Sequence, residues 1–389
     1  MRRVLVLLLA AGLSAGAGLA VGAWHDSHRS RSCVGLPPRG HVTRPHIDLR
    51  STLGRSAPFL RDFDPSAILV GAAPDQIRRI DCPLFDSPDQ VRGLVPLSSP
   101  VIGLDMNGDA RAYPVDLLSY HEVVNDEVGG RPVVITWCPL CQTALVYGRR
   151  IEGRTLHFAV SGYLYEANLM LYDRETGSLW NQVLGGAVTG PLRGSTLALV
   201  PVVYETWGAW LAQHPDTRVL SIKRDELADR FLHPFYYDTS RGREYSDAPY
   251  ESYVEKVPFY FYSFFRGLRD SAFVYGLTVG ISAKAYPLGA LVEAGAINDT
   301  LGREPIVVIS DEAATSAFAY ARRLGGRTLS FRRVGSRLFD RETGSRWAPA
   351  TGRALAGPLA GSRLTRLAGT QVYWFAWRKI RPATALYRG

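Results

Sequence analysis

Residues 111–162 align without a gap on residues 284–335, and this internal echo restricts the fold more than any other feature of the chain. RAYPVDLL falls on KAYPLGAL, VVNDEVGGRPVVIT on AINDTLGREPIVVI, and YGRRIEGRTLHF on YARRLGGRTLSF. Further on, LYDRETGSLW at 171–180 matches LFDRETGSRW at 338–347, and GPLRGSTL at 190–197 matches GPLAGSRL at 357–364. Trp207 and Trp210 likewise match Trp374 and Trp377. The chain is therefore expected to hold two tandem pseudo-repeated units of about 110 residues each. Short β-branched runs broken by Gly and Pro predict an α+β, β-rich class for both units.

Around this pair the remaining segments fall into place. Arg2 and Arg3 precede an apolar run that ends in small residues near Ala23, the order of a secretory signal peptide or of an uncleaved N-terminal anchor over 1–23. Residues 24–60 read as an irregular arm, where His25, His28, His41 and His46 lie without ligand spacing. The first unit covers 61–215, an aromatic-rich linker 216–270, and the second, degenerate unit 271–389. In the first unit Asn107-Gly108 predicts a tight hairpin, VDLLSYHEVVN a short helix ending near His121 and Glu122, and Glu152-Gly153 another hairpin turn. The net charge of +9 comes from arginines scattered along the whole length, which argues against a nucleic-acid arm and leaves membrane proximity through the N-terminus as the surface expectation. An extracytoplasmic location follows from the leader, whether periplasmic, cell-surface or secreted.

The two units also act as an internal comparison. What both carry is most simply scaffold: Tyr113-Pro114, Asn125-Asp126, Asp173, Thr176, Gly177 and Trp180 all recur. What only the first carries is candidate chemistry. Cys138 and Cys141 become Asp311 and Ala314, His121 becomes Ala294, Glu122 becomes Gly295, and His157 becomes Ser330. The second unit also lacks about six residues of the stretch holding Tyr165, Glu166, Asn168 and Met170.

Cys138-Pro-Leu-Cys141 then admits three readings. Two thiolates three residues apart can clasp a soft ion, with His121 as third ligand and Met170, His157 and Glu122 as weaker candidates. A Cys2His set with a thioether suits copper, and an open Cys2His site with a water suits zinc; this metal reading is the leading expectation. The second reading is thiol-disulfide exchange by the same cysteines. WCPLC resembles a thioredoxin-type motif, but QTALVYGRR is short and runs into a Gly-turned hairpin instead of a long helix. The third is a structural disulfide in a binding module. Cys33 and Cys82 could bridge the arm to the body, leaving the pair to itself. Nothing predicts a nucleotide cofactor, and neither G-x-S-x-G, H-E-x-x-H nor a P-loop occurs.

YHEVVND, WCPLCQTA and VSGYLYEANLMLYDRETGSLWNQ occur in that order, and with them the chain resembles the exported proteins grouped as the domain of unknown function numbered 3179 (DUF3179). The likeness covers about residues 60–215, with a weaker echo over 270–380. It implies a shared core containing His121, Cys138 and Cys141, and it supplies no established activity. Where the family pattern has Gly after the second cysteine this chain has Gln142, and Trp137 stands where Tyr is usual.

Overall fold

The structure is a computed structural model and describes residues 59–60, 63–81, 83–166, 168–221, 264–265, 268–269, 272–310 and 316–389. The leader, the arm, Cys33, Cys82 and most of the linker lie outside the described residues, and the expectations attached to them lie there too. The architecture is α+β and β-rich, as the run lengths predicted. Its helices are short: α1 (Val115–His121), α2 (Trp207–Gln213), α3 (Leu288–Ala294) and α4 (Trp374–Ile380). No described helix is long and apolar enough to cross a membrane.

Local chemistry sets the first unit's path. Strands Pro100–Met106 and Asp109–Pro114 pair antiparallel through Asn107 and Gly108, at φ 55° and 81°. Two successive left-handed residues give the turn whose twist matches a hairpin. Pro114, at φ −59°, turns directly into α1. A seven-residue helix is too short to persist alone, and α1 is held by burial of Val115, Leu117 and Leu118. Next comes the meander Val123–Val128, Arg131–Cys138 and Thr143–Gly148. Its side chains alternate: Val134, Cys138, Leu145 and Tyr147 enter one core, while Val133, Ile135, Trp137, Ala144 and Val146 enter another. Burial on both faces explains why VVITW runs as an uncharged, largely β-branched stretch instead of alternating with charged residues.

Three sheets recur by strand order. The central one runs Ala198–Val200, Thr143–Gly148, Arg131–Cys138, Val123–Val128, Ile80–Asp81 in the first half and Thr365–Leu367, Ala317–Ala321, Glu304–Ser310, Ala296–Leu301 in the second. Hairpin sheets built on Pro100–Met106 and on Phe273–Val279, and outer sheets built on Phe158–Tyr165 and on Phe331–Val334, complete each half. Strand Arg218–Leu220, within the stretch read as linker, joins the first hairpin sheet beside Asp109–Pro114. Scaffold contacts repeat as well. Asn125 brackets the backbone of Phe158 at 2.8 and 2.9 Å, as Asn298 brackets Phe331 at 2.8 and 2.7 Å. Asp173 accepts from Trp180 Nε1 at 2.9 Å, and Asp340 from Trp347 Nε1 at 2.8 Å.

The halves bury their hairpin sheets against each other reciprocally. Val101, Ala112, Trp207 and Trp210 share a core with Val307, Ile309, Phe331 and Trp347. Val274, Ala285, Trp374 and Trp377 share one with Cys138, Cys141, Leu145 and Trp180. Polar contacts follow the same exchange: Thr370 Oγ1 donates to the Ala144 carbonyl at 2.8 Å, and Ser316 Oγ to the Tyr204 carbonyl at 2.6 Å.

A charged cluster ties the first hairpin down. Asp109 accepts from Arg111 at 2.8 Å, Arg218 at 2.8 Å and the Gly129 backbone at 3.0 Å. Burial pushes its carboxyl pKa up, but these donors outweigh burial and hold it down at about 2. A carboxylate lowered on folding stabilises fully above its unfolded pKa, roughly 4, and that stability is lost as pH falls through the folded value. With solvent screening allowed for, the parent is expected to exceed Asp109→Asn by on the order of 1 kcal/mol at pH 6 and by less at pH 3. Urea midpoints at the two pH values check this, and a gap that does not narrow contradicts it.

Candidate functional site

The two thiols stand at the end of strand Arg131–Cys138 and in the turn before Thr143–Gly148, both reduced and buried, at 1% and 0% exposure. Their turn is tight because Gln142 takes φ 50° and its Nε2 donates to the Pro139 carbonyl at 2.7 Å. A left-handed backbone favours glycine, which accounts for Gly being usual after the second cysteine and marks Gln142 as strained. Glu122, at φ 57°, is a second such residue, and its counterpart Gly295 holds the same left-handed cap at φ 67°. A non-glycine residue there costs roughly 1–2 kcal/mol. The Glu122 carbonyl accepts from Trp137 N at 2.8 Å, so this strain sits one residue from Cys138.

Around the sulfurs the surroundings are apolar on most sides, with Leu145, Leu169, Trp180, Val183 and the second unit's Trp374, Phe375 and Trp377 in the same core. Polar side chains reach in as well. Asn168 Nδ2 donates to Cys141 Sγ at 3.3 Å and to Gln182 Oε1 at 2.8 Å. The thiols also hydrogen-bond each other, which splits their behaviour. Burial pushes the Cys138 thiol well above the ordinary range, and its Cys141 neighbour adds to that. Burial pushes Cys141 up too, but hydrogen bonds from Cys138, Thr143 and Asn168 outweigh it and hold that thiol below the ordinary range.

The second unit closes the site. Tyr373 N donates to the Cys141 carbonyl at 3.2 Å, at the threshold of α4. Lys379 on α4 pairs at 2.6 Å with Glu166, a left-handed residue in the segment that only the first unit possesses. Arg381 donates to the Val183 carbonyl at 3.2 Å.

The residues singled out from sequence are distributed unevenly about this centre. Cys138, Cys141 and Asn168 meet. His121 ends α1, and its Nδ1 donates to the Arg78 carbonyl at 2.6 Å. His157 pairs with Glu175 at 2.7 Å on the half-exposed side of the outer sheet, and the counterpart Ser330 keeps the same backbone contact to Glu342. Met170 faces away from the thiols: Leu169 and Leu171 join their core, whereas Met170 packs with Phe63, Tyr163 and Tyr172. Tyr165 stacks on Phe63 with ring centroids 4.2 Å apart. Among the described residues no group of three or more His, Cys, Asp or Glu side chains is placed to hold a metal ion.

Two participants escaped the sequence reading, Thr136 and Gln182. Gln182 Nε2 donates to Thr136 Oγ1 at 3.0 Å and to the Thr143 carbonyl at 3.2 Å, directly beneath the pair. The signal was present, since these positions become Ile309 and Pro349 in the second unit.

Comparison with known proteins returns no matching curated protein and no matching solved structure. The family comparison is positive, and it joins both halves in one span where the motifs had carried mainly the first. A thiol pair after an apolar strand, a helix ending in His121 and the Asp-Arg-Glu-Thr-Gly-Ser turn all fall inside residues 74–384, the stretch matched by the family described as Protein of unknown function (DUF3179), and the chain belongs to that family.

Proposed function

We propose that Cys138 and Cys141 form a thiol-disulfide couple in the first unit of an exported protein, with the second unit as a degenerate copy that serves as its cover. The observation that carries this is the split pair itself: two mutually hydrogen-bonded sulfurs in a dry core, one held toward the thiolate and the other toward the thiol. That asymmetry suits exchange. One thiolate attacks a partner disulfide and releases one partner thiolate. The second cysteine then attacks the mixed disulfide, releasing the other, so two electrons and two protons leave the pair as one Sγ–Sγ bond forms.

The same sulfurs are what a metal reading would use, copper ahead of zinc, with His121 third and Met170, His157 and Glu122 behind it. Ligand supply favours exchange instead. Met170 lies on the opposite face of its strand, His157 is engaged by Glu175, and His121 Nδ1 is engaged by a carbonyl. A purely structural disulfide would contribute on the order of 2 kcal/mol in so short a loop.

The test uses the full chain purified reduced, beside Cys138→Ser and Cys141→Ser. In the parent, the peptide carrying Cys138 and Cys141 is expected to lose two thiols on exposure to glutathione disulfide and to regain them with dithiothreitol, and the protein to carry substoichiometric copper and zinc. Each serine variant should stop at a mixed disulfide. One equivalent of metal that vanishes in both variants would establish the metal reading in place of exchange.

A further inference from the structure

We infer that Asn168 is the positioning residue of the pair: an oriented relay of Thr136, Gln182 and Asn168 holds an amide N–H on the Cys141 sulfur, making Cys141 the attacking cysteine and Cys138 the resolving one. The inference rests on the redox reading and adds to it a direction and a cause.

Carboxamides rotate freely in principle, so what matters is that here each amide has one permitted orientation. The Val183 N–H donates to Asn168 Oδ1 at 3.1 Å, and a backbone N–H can only donate, so that atom is the oxygen. Asn168 Nδ2 must then face the other way, toward Gln182 Oε1 and Cys141 Sγ. Gln182 is fixed by the same logic. Its Nε2 points at the Thr143 carbonyl, which can only accept. Thr136 Oγ1 spends its proton on the Leu145 carbonyl at 2.7 Å and is left to accept from Gln182. Main-chain contacts pin Gln182 further, its N donating to the Leu169 carbonyl at 3.2 Å and its carbonyl accepting from Tyr147 Oη at 2.6 Å. The relay has one polarity from end to end, and its free end is an N–H on sulfur.

The second unit supplies the independent observation. Thr136 is Ile309 there, Gln182 is Pro349, and the segment carrying Asn168 is absent, so the relay disappears as a whole where the thiols disappear. Scaffold amides behave otherwise, since Asn125 persists as Asn298 with both its contacts to the phenylalanine backbone. A buried polar relay with no packing role in the copy that lacks the thiols belongs to the thiols.

An N–H on sulfur stabilises the reduced, anionic form more than the disulfide, whose sulfur is a poorer acceptor. The measurement is the equilibrium of the full chain with dithiothreitol and with glutathione, for the parent, Asn168→Ala and Asn168→Asp. Both variants are expected to favour the disulfide by about tenfold, a potential lower by about 30 mV. Asn168→Asp keeps an acceptor for Val183 N–H while removing the donor, which separates lost positioning from lost folding. Asn125→Ala, a scaffold amide, should lower the melting temperature and leave the potential within about twofold of the parent. In glutathione disulfide, Cys138→Ser should form its mixed disulfide faster than Cys141→Ser, and Asn168→Ala should erase that advantage. The relay inference is overturned if the parent cycles normally and the Asn168 variants match its potential. It is overturned equally if Asn125→Ala moves the potential as far as they do. A parent that does not cycle at all fails the redox reading itself and removes the inference with it.

Discussion

Replacing Trp377 with alanine is expected to cost about 3–5 kcal/mol and to raise alkylation of Cys138 and Cys141 by roughly two orders of magnitude or more. The ring is 3% exposed, shares the thiol core, and donates Nε1 to Thr384 Oγ1 at 2.9 Å. It lies so close over Gly276 that a Cβ there would overlap it, which is how α4 is seated on its own hairpin sheet. Removing it loosens the helix that covers the thiols. A buried thiol reacts through opening, so its rate follows the open population, and each 1.4 kcal/mol is about tenfold. Trp210 is the matched control, seated over Gly103 and bonded to Thr217 at 2.9 Å in the opposite core. Trp210→Ala should destabilise comparably but accelerate alkylation at least about tenfold less, because its helix α2 covers the second unit. Equal acceleration in the two variants would mean that the thiols open only by global unfolding and that α4 is no cover.

The second large effect concerns one carboxylate in two settings. Asp126 is fully buried, takes both oxygens to Arg111 Nη1 at 2.7 Å, and accepts from Tyr113 Oη at 2.6 Å and Glu127 N at 2.7 Å. Asp299 makes the corresponding contacts with Lys284 at 2.7 Å and Tyr286 at 2.9 Å, but with both charged side chains 20% exposed. Removing one partner of a buried ion pair costs up to about 3–5 kcal/mol, moderated here because Arg111 keeps Asp109, whereas a hydrated pair contributes about 1 kcal/mol or less. Asp126→Ala is therefore expected to unfold at a much lower urea concentration than Asp299→Ala. Similar midpoints would show that burial does not govern the pair. Of the two ion pairs, the one in the half that holds the thiols is the drier.

Much of this was legible in the residues. Asn107-Gly108, the α1 segment and the Glu152-Gly153 turn each follow from local rules, and strands and hairpins fall where those rules put them. The thiol pair and the Asn168 segment were picked out by their absence from the second unit. Other features depend on distant contacts. Nothing in Trp374 or Trp377 announces that they cover the first unit's thiols as well as their own sheet, because an apolar face does not name its partner. Met170, a weaker candidate in the sequence, packs elsewhere for a nearer reason: NLML is one strand, and alternation turns Met170 away from the side that Leu169 and Leu171 share with the sulfurs. Gln182 stands beside Gly-rich turns, where an amide reads as loop chemistry until its partners Thr136 and Asn168 are seen.

Central to the proposed function is that Cys138 and Cys141 act as a dithiol whose counterparts, Asp311 and Ala314, carry no thiol. The most direct measurement is the mass of the peptide carrying both cysteines, taken from the full chain after equilibration in glutathione buffers of graded poise and rapid acid quench. The account predicts a single two-electron transition in which that peptide loses two hydrogens, reverses fully on reduction, and shows the Cys138–Cys141 bond as the product. A pair that stays reduced across the whole range, or one that stays oxidised against excess dithiothreitol, would contradict it.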